Sequence, residues 1–201
     1  MQSSDVARIV GILLAIGLVD IVVAQIARFD RNSSSDSING DSAGVVEGSI
    51  SELAEYADSK SKVIMVHSGR ILAKEYHRKI KITVTEKARK LEIIRGYDGK
   101  VLNRYKYDNT AKSYEAFLKS LDFYGFLNRQ NGEYGDDEVG VCPKSAQTIV
   151  HLFDNGQSVE RLWSTTCDRD YGTLAGNSRR IMEMFKSQIP DYRTHIRGVR
   201  L

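Results

Sequence analysis

Cysteine occurs only twice in the 201 residues, at Cys142 and Cys167, and histidine only four times, at His67, His77, His151 and His195. Two thiols cannot staple a disulfide-dense miniature scaffold, and scattered imidazoles without short spacing offer no zinc ligand set. No phosphate-cradling glycine motif is present, so neither a metal nor another cofactor is expected. An excess of one charge is missing as well. Lys and Arg total 29 against 26 Asp and Glu, a net charge of +3, which is too weak a field to point to nucleic acid or to acidic substrates. The run Arg104-Tyr105-Lys106-Tyr107 imitates a nucleic-acid stacking strand. On a strand, however, the tyrosines share one face and the cations the other, which is core against solvent, and no nucleic-acid partner is expected.

Long apolar runs are scarce too, with one exception. Ile9–Ala27 (IVGILLAIGLVDIVVAQIA) contains only Asp20 and Gln25 as strongly polar residues. At the helical rise its length spans roughly 28 Å, close to the hydrocarbon thickness of a bilayer. A dozen Ile, Leu and Val side chains favour insertion by roughly 5 kcal/mol, and Asp20 costs about 3. A single transmembrane anchor is therefore expected within residues 1–29. Cleavage before Gln25, as in a secretory signal, is the alternative, but the run continues to Arg28 and is longer than most signal cores. Asp20 is an intramembrane polar group, either paired with a partner helix or tolerated as a protonated carboxyl.

Orientation draws opposite arguments. Arg28 and Arg31 make the C-terminal flank slightly more basic than Arg8, which favours a cytoplasmic domain. The cysteine pair favours the oxidising side. The two cysteines bracket strand-like runs around Asn155-Gly156, the strongest short hairpin signal. A two-residue loop there pairs Asp154 with Gln157 and, counting outward, Lys144 with Cys167. Cys142 lies two residues off register, within reach if a bulge intervenes or the ends curl. A Cys142–Cys167 disulfide is expected, and with it a domain outside the cytoplasm.

Residues 30–48 (DRNSSSDSINGDSAGVVEG) read as a flexible linker, too poor in large apolar groups to repay ordering. Residues 49–201 then read as one α+β domain. Ser49–Asp58 has a short amphipathic helical pattern. A period of two follows: Val63–Val66, then His77–Glu86 with Ile80, Ile82 and Val84 facing away from Lys79 and Lys81, then Lys90–Arg95 and Val101–Tyr107. Short loops make these an antiparallel meander. Asp108-Asn109-Thr110 caps a helix carrying Tyr114, Phe117, Leu118 and Leu121, and Phe123, Tyr124, Phe126 and Leu127 extend its apolar load. Asn128–Gly140 is a polar loop whose Asp136-Asp137-Glu138 lacks calcium-loop spacing and reads as a solvated charge run. The cysteine-bracketed hairpin comes next. The last helix, within Thr173–Gln188, is capped by Asn177 or Ser178 and stopped by Pro190. The tail Arg193–Leu201, with Arg193, Arg197 and Arg200, is either a solvated end or a contact for phosphate or anionic lipid.

Catalytic residues are not expected. His67 and Ser68 are adjacent and point to opposite strand faces, and Cys142 beside His151 is better spent as a disulfide. The Leu174–Asn177 stretch offers amides to an anion, or is a simple cap. The functional expectation is a membrane-anchored, extracytoplasmic, non-enzymatic binding or assembly module of the cell envelope, with a possible protein partner or self-association. Lys79, Lys81, Arg104 and Lys106 form its candidate binding face. The alternatives are a membrane-anchored hydrolase, which needs a polar cleft with His67 or His151 beside a carboxylate or hydroxyl, and a small-ligand carrier with an apolar cavity between sheet and helices.

Overall fold

The computed structural model describes residues 52–58, 60–167 and 171–201. The expected anchor Ile9–Ala27 with Asp20 and the linker 30–48 lie outside the described residues. Among the described residues no helix is long and apolar enough to cross a membrane.

Six strands form one antiparallel sheet: β1 Lys62–Ser68, β2 Arg78–Thr85, β3 Ala88–Arg95, β4 Lys100–Asp108, β5 Gln147–Asp154 and β6 Gln157–Thr165. Their order across the sheet is β4-β3-β2-β1-β5-β6. The meander runs outward from β1 in one direction, and the hairpin β5–β6 adds to the other side of β1. Helices α1 (Ala111–Phe123), α2 (Ser178–Ser187) and the short α3 (Tyr192–His195) complete the domain, together with a 3-10 helix at Glu52–Asp58. The architecture is α+β.

Register assigns the faces. Met65 lies opposite Ile82 and Val150, Ile82 opposite Leu91, and Val150 opposite Leu162. Together with Val63, Ile80, Val84 and Leu152 these side chains are buried in one cluster with Leu53, Tyr114, Phe117, Leu118, Leu121, Ile181 and Phe185 of the helices. Period-two burial on the strands and period-3.6 burial on α1 and α2 thus meet at a single interface. Phe117 meets Phe185 edge to face at 5.2 Å, a geometry that suits the ring quadrupoles. The caps match the sequence reading, because Thr110 accepts from the Ser113 amide and Asn177 from that of Arg180.

Several elements differ from what the residues suggest. The segment at Glu52–Asp58 is 3-10 rather than α-helical. α1 ends at Phe123, and Phe123 is 82% exposed instead of joining the core. Two residues past the buried Leu121, its ring falls on the opposite, solvent side of the helix, and Gly125 (φ 76°) then reverses the chain before the buried Phe126. Asp136 and Glu138 are not merely solvated: they pair with Arg129 and Arg161. The tail is not a free end either. His195 stacks on Tyr105 at 3.9 Å and bonds to the Tyr107 hydroxyl at 2.6 Å, and Ile196 packs on the core.

The hairpin turn is as expected. Asn155 (φ 49°) and Gly156 (φ 84°) both take the left-handed conformation that a tight two-residue loop needs, and Asp154 pairs with Gln157. Outward from there, a register shift between Leu152 and Phe153 adds a residue to β6, so the cysteines are brought no closer by it. They meet because the chain turns back at Cys142, whose carbonyl accepts from the Ser145 amide at 2.9 Å. Cys142 and Cys167 are disulfide-bonded, with Cα atoms 6.3 Å apart.

Candidate functional site

The helices cover one sheet face. On the other, register places residues in rows across all six strands. One row reads Lys106, Lys90, Thr83, Ile64, His151, Arg161, and the next reads Arg104, Glu92, Lys81, Val66, Ile149, Trp163. Lys79 lies one row further on, opposite Ser68 and Ile94. All four residues of the expected binding face, Lys79, Lys81, Arg104 and Lys106, therefore share one surface.

Two members of that surface escape a sequence reading. Glu92 is buried, and it accepts from Arg104 Nε at 2.8 Å and pairs with Lys90 at 3.3 Å. Burial pushes its carboxyl up, but the Arg104 hydrogen bond and the Lys90 and Lys81 charges more than offset this, and it stays below its ordinary range. Arg104, Lys90 and Lys81 thus act on one ionised carboxylate, Lys79 and Lys106 lie in neighbouring rows, and Asp108 stands at the end of β4. Alternation within Lys90–Arg95 is the signal that could have found both residues, once β3 is set against β2.

The apolar centre of this face is Ile64, Val66 and Ile149, each partly exposed. Towards β6 the loop after α1 closes over the sheet. Trp163 is fully buried there and donates its indole N–H to the Gly135 carbonyl at 2.8 Å. Arg129 bridges Asp136 and Glu160 while Arg161 pairs with Glu138, so that two of these three ion pairs tie the loop to the strand. Gly172 permits the next segment to approach β6, because a Cβ there would lie 2.2 Å from the Trp163 carbonyl oxygen.

The histidines do not converge. His77 stacks on Tyr97 at 4.3 Å, and His195 sits on β4. Two imidazoles do meet hydroxyls: His67 Nδ1 lies 2.9 Å from Thr148 Oγ1, and His151 Nε2 lies 2.7 Å from Ser158 Oγ. Among the described residues neither has a carboxylate hydrogen-bonded to its other ring nitrogen, so neither pair carries the orienting group that general-base catalysis uses. Thr148 is itself buried beneath the helices.

His67 nonetheless reports on folding. Burial first, and then the Lys186 charge, lowers its pKa to about 4. The folded state thus prefers neutral imidazole. The stability it contributes is complete above pH 6.5 and is lost as pH falls towards 4. That loss is expected to be about 2 to 3 kcal/mol. Comparing urea midpoints at pH 7 and pH 4 checks it, with His67→Gln expected to flatten the slope by that amount. Equal slopes in the two proteins would remove His67 from the account.

No protein-family model matches the chain, and no curated protein sequence matches it either.

Proposed function

We propose that this chain is a non-enzymatic binding module whose uncovered sheet face holds an acidic surface of a partner protein. The observation that carries the reading is the composition of that face. Partly exposed aliphatics at Ile64, Val66 and Ile149 stand beside Lys79, Lys81, Arg104 and Lys106, an apolar centre with a cationic border. Protein interfaces combine such a centre with a charged rim that steers the partner. A polymer-binding face would instead offer aromatic rings for stacking. Here Trp163 is covered by the loop, and Phe153 lies between His151 at 3.8 Å and the Lys62 ammonium at 4.4 Å. The buried cluster that sheet and helices share speaks against a carrier, and the unoriented histidines speak against a hydrolase.

In this reading the apolar segment Ile9–Ala27 anchors the module to a membrane and residues 30–48 tether it. The Cys142–Cys167 bond supports an extracytoplasmic position, because such bonds persist on the oxidising side of a membrane. A photo-crosslinking residue placed at Ile149 tests the binding face in cells that express the chain. A discrete adduct is expected at Ile149 and not at the exposed Phe123. Its yield is expected to drop about tenfold in Lys81→Gln/Lys106→Gln, in line with the tenfold or greater gain in on-rate that steering charges supply. Equal adducts at both positions, or insensitivity to the two lysines, would sink the reading. Thiol labelling of intact cells, with and without reductant, tests the topology: labelling after reduction alone is expected.

A further inference from the structure

Two arginines at the β1–β2 connection and one from the tail line a hollow away from the sheet face. Arg70 follows β1, Arg78 opens β2 and Arg200 belongs to the tail. Together with Leu72, Tyr76, Gly198 and Leu201 they line a hollow of about 360 Å³. No acidic side chain is among its lining residues. Arg70 and Arg200 are exposed and form no ion pair with any described residue.

The hollow is built rather than accidental. Gly69 donates to the Arg78 carbonyl at 3.2 Å and Ile71 to that of Pro143 at 2.7 Å. A single hydroxyl, that of Tyr97, accepts from the Leu72 amide at 3.2 Å and donates to the Leu72 carbonyl at 2.8 Å. Arg78 Nη1 donates to the carbonyls of Glu75 and His77 at 2.6 and 2.9 Å, which fixes the guanidinium and leaves its other N–H groups free. On the opposite side the main chain of Leu201 packs so closely on Gly69 that a Cβ there would lie 2.4 Å from it. That contact and the left-handed turn at Gly198 (φ 83°) deliver Arg200 to the site.

We infer that this hollow binds a phosphate ester, held by Arg70, Arg78 and Arg200. One planar guanidinium satisfies a carboxylate in a bidentate pair. Three of them with no acidic side chain in the lining outnumber any single carboxylate and match a tetrahedral group of higher charge, whose oxygens accept from several directions. The volume exceeds that of the bare anion, and Leu72 and the 67% exposed Tyr76 border the space for the esterified part. The fixed loop means that little ordering cost falls on binding.

The test uses the full-length chain in neutral detergent micelles, read by the arginine side-chain N–H resonances. One arm titrates glycerol phosphate, and the other dopes the micelles with a short-chain phosphatidylglycerol. Acetate at equal ionic strength is the control. Saturable shifts confined to Arg70, Arg78 and Arg200 are expected. Affinity is expected to fall at least about tenfold in Arg70→Gln/Arg200→Gln, since each lost charge-assisted hydrogen bond is costly. Both replaced residues are exposed, so the fold is retained. Saturation in the lipid arm alone identifies a headgroup as the source, and saturation with glycerol phosphate identifies a soluble ester. An equal response to acetate, no saturable response in either arm, or unchanged affinity in the variant would overturn the inference. Lys81→Gln/Lys106→Gln, on the sheet face, is expected to leave this binding unaltered.

Discussion

Truncating Trp163 to alanine is expected to cost about 3–5 kcal/mol of folding stability, the range for large aromatic side chains removed from a packed core. The residue is fully buried, and it lies on the sheet face that the helices do not cover. Its indole is sealed by the loop after α1, which reaches over β6 and accepts the indole N–H at Gly135, while the segment at Gly172–Leu174 packs on its main chain. Loss of the ring leaves a cavity under the loop and orphans that carbonyl. The Arg129–Asp136 and Arg161–Glu138 pairs sit at the surface and contribute too little to hold the loop by themselves. Trp163→Phe separates the two effects: it keeps most of the apolar contact and loses the hydrogen bond, with an expected cost of about 1–2 kcal/mol. Urea denaturation followed by circular dichroism measures both variants. A loss below 1 kcal/mol for the alanine variant would mean that the loop does not seal the indole.

Breaking the Cys142–Cys167 bond is the other large perturbation. The cysteines are separated by 25 positions, and closing a loop of that length restricts the unfolded chain by roughly 3–4 kcal/mol. The full effect is expected in Cys142→Ser/Cys167→Ser, and equally in the wild-type chain under reductant, as a fall in the urea midpoint. The local geometry adds a check. The bond is reached through the turn at Cys142–Ser145, while the β5–β6 pairing from Gln147 to Thr165 includes neither cysteine. Reduction should therefore lower global stability yet leave the hairpin register intact, as cross-strand amide contacts would report. A hairpin that loses its pairing on reduction would show that the bond shapes the folded state and does not only restrict the unfolded one.

Much of this architecture is visible in short stretches of sequence. The alternation at Ile80, Ile82 and Val84, the helical spacing of Tyr114, Phe117, Leu118 and Leu121, and the Asn155-Gly156 turn each depend on residues a few positions apart. Their physics is local: side-chain direction repeats every two or 3.6 residues, and a left-handed turn needs residues that tolerate it. The common surface of Lys79, Lys81, Arg104 and Lys106 follows from the same alternation, given an antiparallel meander.

Other features arise between segments far apart in the chain, where local periodicity carries no information. Alternation cannot say that β5 pairs with β1, because either edge of the meander, β1 or β4, could accept it. Only the joint burial of Val150 and Leu152 against the helices selects that edge. Glu92 looks like an ordinary solvent-facing acid until Arg104 of the neighbouring strand is set beside it. Arg70, Arg78 and Arg200 share a hollow because the tail is held on β4 by His195 and then packs on Gly69. Periodicity therefore determined which residues form each element and which way they point. Long-range burial decided which elements became neighbours, because burial is a property of the assembled sheet and no single segment contains it.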